Sequence, residues 1–201
     1  MNPFLDKEAD IAISTGGNLP HWHQEQKIQY ITFRLADSLP QSKITELKQQ
    51  ISQFEKDHPR PWTPEIKQKY WTIVGRREQQ MLDNGYGSCL LASENIRAIV
   101  AAALHHHDGT NYRLIAYVIM PNHVHMLLCP APDVSISTIL HSIKRYSARQ
   151  INHLAGTTGP VWQREYFDRI VRSEEQLKHC ISYISSNPRH HRTNQYTLYI
   201  R

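Results

Sequence analysis

The chain has 201 residues, of which 40% are hydrophobic, and a formal net charge of +5. This length supports one well-packed core and is too short for two large ones. No stretch approaches the run of about 18 apolar residues that a membrane span needs, and the N-terminus lacks a secretory pattern, so we expect a cytoplasmic protein. The three cysteines are odd in number and lack CxxC spacing, which argues against a disulfide framework or a cysteine zinc site.

Basic residues are concentrated in the last third of the chain. Residues 1–140 carry 13 Lys and Arg against 14 Asp and Glu, whereas residues 141–201 carry 10 against 4. Such asymmetry suits contact with phosphate backbones. Charge alone is equally consistent with an ordinary solvated basic surface.

The first half of the chain predicts one strand followed by three helices. Residues 28–35 have the composition of a strand. Apolar residues at steps of three and four predict a helix that begins at Ser42 and ends near Pro59. A second helix is predicted to begin at Thr63, and a third to be capped by Ser93.

The second half predicts an antiparallel strand pair and two long helices. Residues 113–120 and 123–129 are joined by a tight connection at Pro121-Asn122. Mixed strands and helices with tightly joined strands favour an α+β fold, with helices packed on an antiparallel sheet. The other predicted elements are a helix from Ser135 to Gly156, an extended segment at 161–171, and a helix from the capping box at Ser173 to Asn187-Pro188.

His123 and His125 project from the same face of the second strand of this pair, because side chains alternate along a strand. Two neutral imidazoles in this arrangement can hold one divalent ion, while Val124, Met126 and Leu128 form an apolar face for helices. An isolated His-x-His triplet is more often incidental than metal-binding.

The last helix places Tyr183 and Asn187 one turn apart on a polar stripe beside its apolar face. Both side chains can therefore face the two histidines. On helical geometry alone, a tyrosine that covers the core edge and an asparagine that ends the helix are equally consistent.

Four segments together resemble one known family. AYVIMPNHVHMLL resembles the HUH motif (His, bulky apolar, His) of single-tyrosine transposases, and more closely that of REP-associated tyrosine transposases. ITFRLADSLP at 31–40, VWQREYFDRIVR at 161–172 and YISSNP at 183–188 agree with it in the family's order. The resemblance spans residues 31–188.

The resemblance implies a ferredoxin-like HUH endonuclease fold and a Mg²⁺ or Mn²⁺ ion held by His123 and His125. The family's third, amide or carboxylate ligand maps onto Asn187. Tyr183 occupies the nucleophile position. The implied activity is nicking and joining of single-stranded or hairpin DNA through a 5′-phosphotyrosine, which would place the protein at the nucleoid.

Basic and aromatic residues of the last third are candidates for DNA contact. Tyr146 continues the Ile139 and Ile143 spacing of its helix, so core or core-edge packing is favoured over a catalytic role. It ranks second to Tyr183 as nucleophile. The DNA-binding candidates are Lys144, Arg145, Arg149, Trp162, Arg164, Arg169 and Arg172, with Tyr166 and Phe167 also available for stacking.

The expected organisation is an N-terminal arm at 1–27, a transposase-like domain at 28–190 with a helical insertion at about 41–86, and a C-terminal tail at 191–201. The compact insertion-sequence transposases lack this helical segment. Two alternatives stay open: a protein that binds hairpin DNA without cutting it, and a metal-dependent phosphoesterase that uses water. Monomer and homodimer are both open.

Overall fold

The computed structural model describes residues 2–6, 8–9, 12–14, 21–59, 61–63, 65–66, 69–70, 73, 80–190 and 192–201. The chain forms two compact units. One comprises Met1–Ala36 and Leu90–Arg201, and the other comprises Asp37–Cys89. No helix of the described residues is long and apolar enough to cross a membrane. The cysteines Cys89, Cys129 and Cys180 are free thiols.

The larger unit is built on an antiparallel sheet with the strand order β6-β3-β5-β4-β7. A separate pair, β1 and β2, precedes it in the chain. The strands are β1 (Ala12–Ser14), β2 (His21–His23), β3 (Gln29–Arg34), β4 (Tyr112–Ile119), β5 (His123–Pro130), β6 (Phe167–Ile170) and β7 (Thr197–Ile200). The helices are α1 (Gln41–Asp57), α2 (Glu94–His105), α3 (Ile136–Ala155) and α4 (Glu174–Ser186).

The chain order β3-α2-β4-β5-α3-β6 follows the ferredoxin-like pattern, and the expected α+β fold is confirmed. Helices α2 and α3 pack on one face of the sheet, against Val124, Met126 and Leu128 of β5. Helix α4 packs on the opposite face through Cys180 and Ile184. Alternate side chains of β5 therefore pack against the helices on both faces of the sheet.

Local signals predict the helix ends well. The Ser135 side chain accepts a hydrogen bond from Thr138 N at the start of α3, and Gly156 ends that helix at a φ of 64°. Ser173 caps α4 by accepting from Gln176 N. Ser93 lies at the N-cap position of α2, but within the described residues its side chain accepts no capping hydrogen bond.

The smaller unit contains α1, which agrees with the helix predicted from Ser42. Ile44 and Leu47 of α1 pack with Leu39, Met81 and Leu82. Much of the helix predicted from Thr63 lies outside the described residues.

Both chain ends expected to lie outside the domain contain strands. Within 1–27, β2 lies beside β6, and the His21 ring stacks on Tyr166 with centroids 4.2 Å apart. Within 191–201, β7 pairs with β4 as the fifth strand of the sheet. Strands of three or four residues carry too little periodicity to be recognised from sequence.

Candidate active site

His123 and His125 lie on β5, on the sheet face that α4 partly covers. Both side chains are buried, at 1% and 0% exposure. Their Nε2 atoms are 3.0 Å apart. The strand alternation thus brings two imidazoles together with the same ring nitrogen of each directed at a common point.

The other nitrogen of each histidine ring has a polar neighbour. Asn122 Oδ1 lies 2.7 Å from His123 Nδ1. Thr32 Oγ1 and the Tyr30 hydroxyl lie 2.7 Å and 2.9 Å from His125 Nδ1. Thr32 is directly opposite His125 in the β3–β5 pairing, which explains the contact.

Burial favours the neutral form of these groups. It is the largest cause that lowers the pKa of His125 well below its usual value, and the charges of His123 and Arg169 act in the same direction. Burial also raises the pKa of Tyr30 well above its usual value, with Tyr183 adding to the shift. A neutral imidazole is the form that ligates metals.

Helix α4 brings Tyr183 and Asn187 to the same face. The Tyr183 ring meets the His125 ring edge-on, with centroids 5.5 Å apart. Asn187 Nδ2 donates a hydrogen bond to the Tyr183 hydroxyl at 3.0 Å. Asn187 Oδ1 is buried and has no hydrogen-bond partner among the described residues.

The Nε2 atoms of His123 and His125 and the Oδ1 atom of Asn187 are suitable ligands for a divalent ion. Two nitrogens that each lie about 2.1 Å from one metal, at a right angle, are about 3.0 Å apart, which matches the Nε2 separation. The unpartnered Asn187 Oδ1 supplies an oxygen of the kind that Mg²⁺ and Mn²⁺ accept. The described residues contain no cluster of three or more His, Cys, Asp or Glu that could hold a metal.

Two arginines lie close to the histidines. Arg169 pairs with Tyr30 across β3 and β6, and its guanidinium lies 5.0 Å from the centre of the Tyr30 ring. Arg34 is directly opposite His123 in the β3–β5 pairing. Positive charge therefore flanks the site from β3 and β6.

The family described as "Transposase IS200 like" matches residues 91–187. The match spans slightly less than half of the chain, and these residues are similar to that family. The matched range contains His123, His125, Tyr183 and Asn187, and it ends at Asn187. It does not include β3, which carries Tyr30, Thr32 and Arg34.

Two solved structures are similar to the chain. One is a REP-associated tyrosine transposase bound to a REP hairpin, with 15% identity over 87% of this chain and 74% of that one, at a TM-score of 0.43. The other is a Deinococcus radiodurans R1 protein described as a transposase, with 15% identity over 87% of this chain and 97% of that one, at a TM-score of 0.37. No curated protein matches.

Two of the predicted DNA-binding residues are used inside the fold. Lys144 Nζ donates to the carbonyl oxygens of Gln163 and Arg164, at 2.9 and 3.1 Å, and burial lowers its pKa to about 8. Trp162 is only 7% exposed, and its Nε1 donates to Ser147 Oγ at 2.9 Å. Both residues order the segment that follows α3, because their donors face protein acceptors.

The structure also corrects the expectation for Tyr146, which is 51% exposed. The buried stripe of α3 continues from Ile143 to Ser147, whose hydroxyl donates to Ile143 O. A buried serine is not recognised in a pattern of apolar residues. The sequence pattern therefore assigned the buried position to Tyr146 instead of Ser147. Tyr146 instead lies on the outer surface with Arg145 and Arg149.

Of the other DNA-binding candidates, Arg164, Arg169 and Arg172 are exposed. Tyr30, Thr32, Asn122 and Arg34 were not predicted as site residues. Their only sequence signal is the alternation of β3 and the position of Asn122 next to His123, and neither identifies a partner without the strand register.

Proposed function

We propose that this protein is a transposase-like enzyme that nicks and rejoins single-stranded or hairpin DNA, with Tyr183 as the nucleophile. The observation that carries the proposal is the convergence of four side chains: two histidines with Nε2 atoms 3.0 Å apart, the Tyr183 ring against His125, and Asn187 bound to the Tyr183 hydroxyl. The match of residues 91–187 to the family described as "Transposase IS200 like" supports DNA transposition as the context.

The phenol of tyrosine has a pKa near 10 and is a weak nucleophile at neutral pH. A Mg²⁺ or Mn²⁺ ion held by His123, His125 and Asn187 would supply positive charge that stabilises the scissile phosphate and the phenolate. The hydrogen bond from Asn187 Nδ2 to the Tyr183 hydroxyl also favours the ionised oxygen, because it donates to the charged form.

In the proposed reaction the Tyr183 oxygen loses its proton and bonds to phosphorus. The bond from phosphorus to the 3′ oxygen breaks, and that oxygen takes up a proton as a free 3′-hydroxyl. The fragment downstream of the nick stays attached to Tyr183 through its 5′ phosphate. Because one phosphoester replaces another, a 3′-hydroxyl can reverse the step and rejoin DNA without a nucleotide cofactor.

Arg34 and Arg169 are suited to bind the phosphates that flank the scissile bond. Arg34 faces His123 across the strand pair, and Arg169 lies over Tyr30 next to His125. Arginine recognises phosphate oxygens through two parallel donors. These two residues would hold the strand in line with Tyr183.

A second DNA contact is proposed on the outer surface of α3. No acidic residue occurs from 134 to 164, and Arg145 and Arg149 are exposed there beside Tyr146. Arginines supply phosphate contacts, and an exposed aromatic ring supplies a stacking surface for an unpaired base. Arg164 and Arg172 are also exposed, whereas the donors of Lys144 and Trp162 are used inside the fold.

The deciding experiment incubates labelled hairpin DNA with Mn²⁺ and separates the products by denaturing electrophoresis. We expect wild type to give nicked DNA and a covalent adduct whose peptide contains Tyr183. Tyr183→Phe should bind DNA and form neither product, while the control Tyr146→Phe should form both.

The outcomes separate the alternatives. DNA binding without any cleavage by wild type would favour a hairpin-binding protein. Cleavage without an adduct, even after rapid quenching, would favour water as the nucleophile. An adduct on Tyr146 would keep the reaction and change the nucleophile.

A further inference from the structure

The turn that leads into His123 is buried. Pro121 and Asn122 connect β4 to β5, and both residues lie inside the fold. Met120 N donates to His123 O at 2.8 Å and closes the turn. Carbonyl groups at such a connection usually face water, so each of them here needs a donor from another part of the protein.

Two backbone N–H groups supply these donors. Leu91 N donates to Pro121 O at 3.0 Å, and Leu35 N donates to Asn122 O at 2.9 Å. The Asn122 side chain in turn lies next to the His123 ring, with Oδ1 2.7 Å from Nδ1. The orientation of the turn therefore sets the position of the His123 ring.

Arg97 of α2 holds the segment that contains Leu91. This arginine is only 3% exposed. Its Nη1 donates to Leu91 O and Ala92 O, at 3.0 and 2.6 Å. Its Nη2 donates to Asn194 O at 2.6 Å, and its Nε donates to Thr197 Oγ1 at 3.1 Å. One guanidinium thus joins the segment that holds the turn to the segment that leads into β7.

Leu91 is bound through both of its backbone polar groups, because its N–H donates to the turn and its carbonyl accepts from Arg97. We propose that Arg97 is a positioning residue that keeps His123 in place through Leu91 and the turn, with residues 194–197 as part of the same support; this rests on the proposed function. Residues 194–197 lie outside the range 91–187 that matches the family.

A lysine is not suited to this role of Arg97. A guanidinium is planar and presents its donors in a fixed fork, whereas an ammonium is a compact charge at the end of a flexible chain. Arg97→Lys therefore keeps the charge and loses the geometry that spans the two segments. Arg113→Lys makes the same change at an exposed position of β4 and is the matched control.

Hydrogen exchange in the metal-free protein, followed by NMR for each amide, tests the support without any metal. In Arg97→Lys the amides of Leu91, Leu35 and Met120 should exchange about tenfold faster than in wild type, because the hydrogen bonds of the turn open more often. Core amides of α3 should change less, and Arg113→Lys should match wild type throughout.

Calorimetry with Zn²⁺, a metal that imidazole binds well, tests the consequence for the histidines. Arg97→Lys should bind Zn²⁺ about 10-fold more weakly than wild type, at the lower end of the effect seen when groups that support metal ligands are lost. Arg113→Lys should bind like wild type. His123→Ala identifies the binding that belongs to this site.

Thr197→Val tests the contribution of the C-terminal segment, and it also serves if Arg97→Lys does not fold. The change keeps the shape of the side chain and removes one acceptor of Arg97. It should speed the exchange of the Leu91 amide and weaken Zn²⁺ binding, each by roughly threefold, because one of the four hydrogen bonds is lost. Wild-type values for both measurements would exclude the C-terminal segment from the support.

The outcomes separate this inference from the proposed function. Wild-type Zn²⁺ affinity in the folded Arg97→Lys variant, or equally faster exchange of the turn and of the α3 core, would give Arg97 only a structural role and overturn the inference. If wild type bound no more Zn²⁺ than His123→Ala, the proposed metal site would be wrong. The exchange of the turn amides would still decide whether Arg97 positions His123.

Discussion

The two faces of the central sheet use the same strands for opposite purposes. On the face covered by α2 and α3, β5 contributes Val124, Met126 and Leu128 to a continuous apolar core. On the other face, β5 contributes His123 and His125, and α4 covers them with Tyr183 beside its apolar residues. The comparison shows how one layer can hold the fold while the other keeps buried polar groups in position.

The largest expected effect concerns the histidine face. His123→Ala and His125→Ala should each abolish DNA cleavage, because each removes a ligand of the proposed metal, and EDTA should do the same to wild type. DNA binding should persist, since phosphate contacts elsewhere dominate affinity. Cleavage and gel-shift assays measure the two properties.

His141→Ala is the matched control, because His141 is exposed on α3. It should leave cleavage unchanged. Full cleavage by the His123→Ala, His125→Ala double variant would show that the reaction does not require a metal ion at these histidines.

The apolar face should respond in stability instead. Met126 is fully buried between the sheet and the helices. Met126→Ala should lower the free energy of unfolding by about 2–5 kcal/mol, because it leaves a cavity in the core. Urea denaturation measures this, and a smaller loss for His123→Ala than for Met126→Ala would support the division between the faces.

The outer surface of α3 predicts a salt effect. Replacing Arg145 and Arg149 together with Gln should reduce the slope of log affinity against log salt by about 1.4–1.8, if each contacts one phosphate. Affinity is measured by fluorescence anisotropy with hairpin DNA. Lys178→Gln, whose ammonium lies 2.9 Å from Glu174, is the control and should leave the slope unchanged. An equal slope for both variants would show that the DNA does not contact Arg145 and Arg149 on α3.

The smallest effect is the pH dependence that Lys144 introduces. Burial lowers its folded-state pKa to about 8 from 10.5, so between these values the unfolded chain binds more protons than the folded chain. The stability of wild type relative to Lys144→Met should therefore rise as pH increases from 8 to 10. Urea denaturation at pH 7, 9 and 10 tests this, and a constant difference would contradict the desolvation of the ammonium.

Much of this molecule follows from short-range sequence patterns. The alternation of β5, the apolar stripes of α3 and α4, and the caps at Ser135 and Ser173 depend on residues a few positions apart, and each was predicted. The ferredoxin-like order of the sheet followed from the resemblance of four motifs to one family. The spacing of Tyr183 and Asn187 on a helix likewise needed no distant contact.

The tertiary structure alone decided which distant groups meet. Tyr30 and Thr32 lie 95 and 93 residues from His125 in sequence, and only the register of β3 against β5 brings them to its Nδ1. The buried Trp162 side chain donates a hydrogen bond to Ser147. Because Ser147 occupies the buried position on α3, the neighbouring Tyr146 side chain is exposed. Local periodicity records which way a side chain points, whereas strand register and the packing of remote segments determine what it touches.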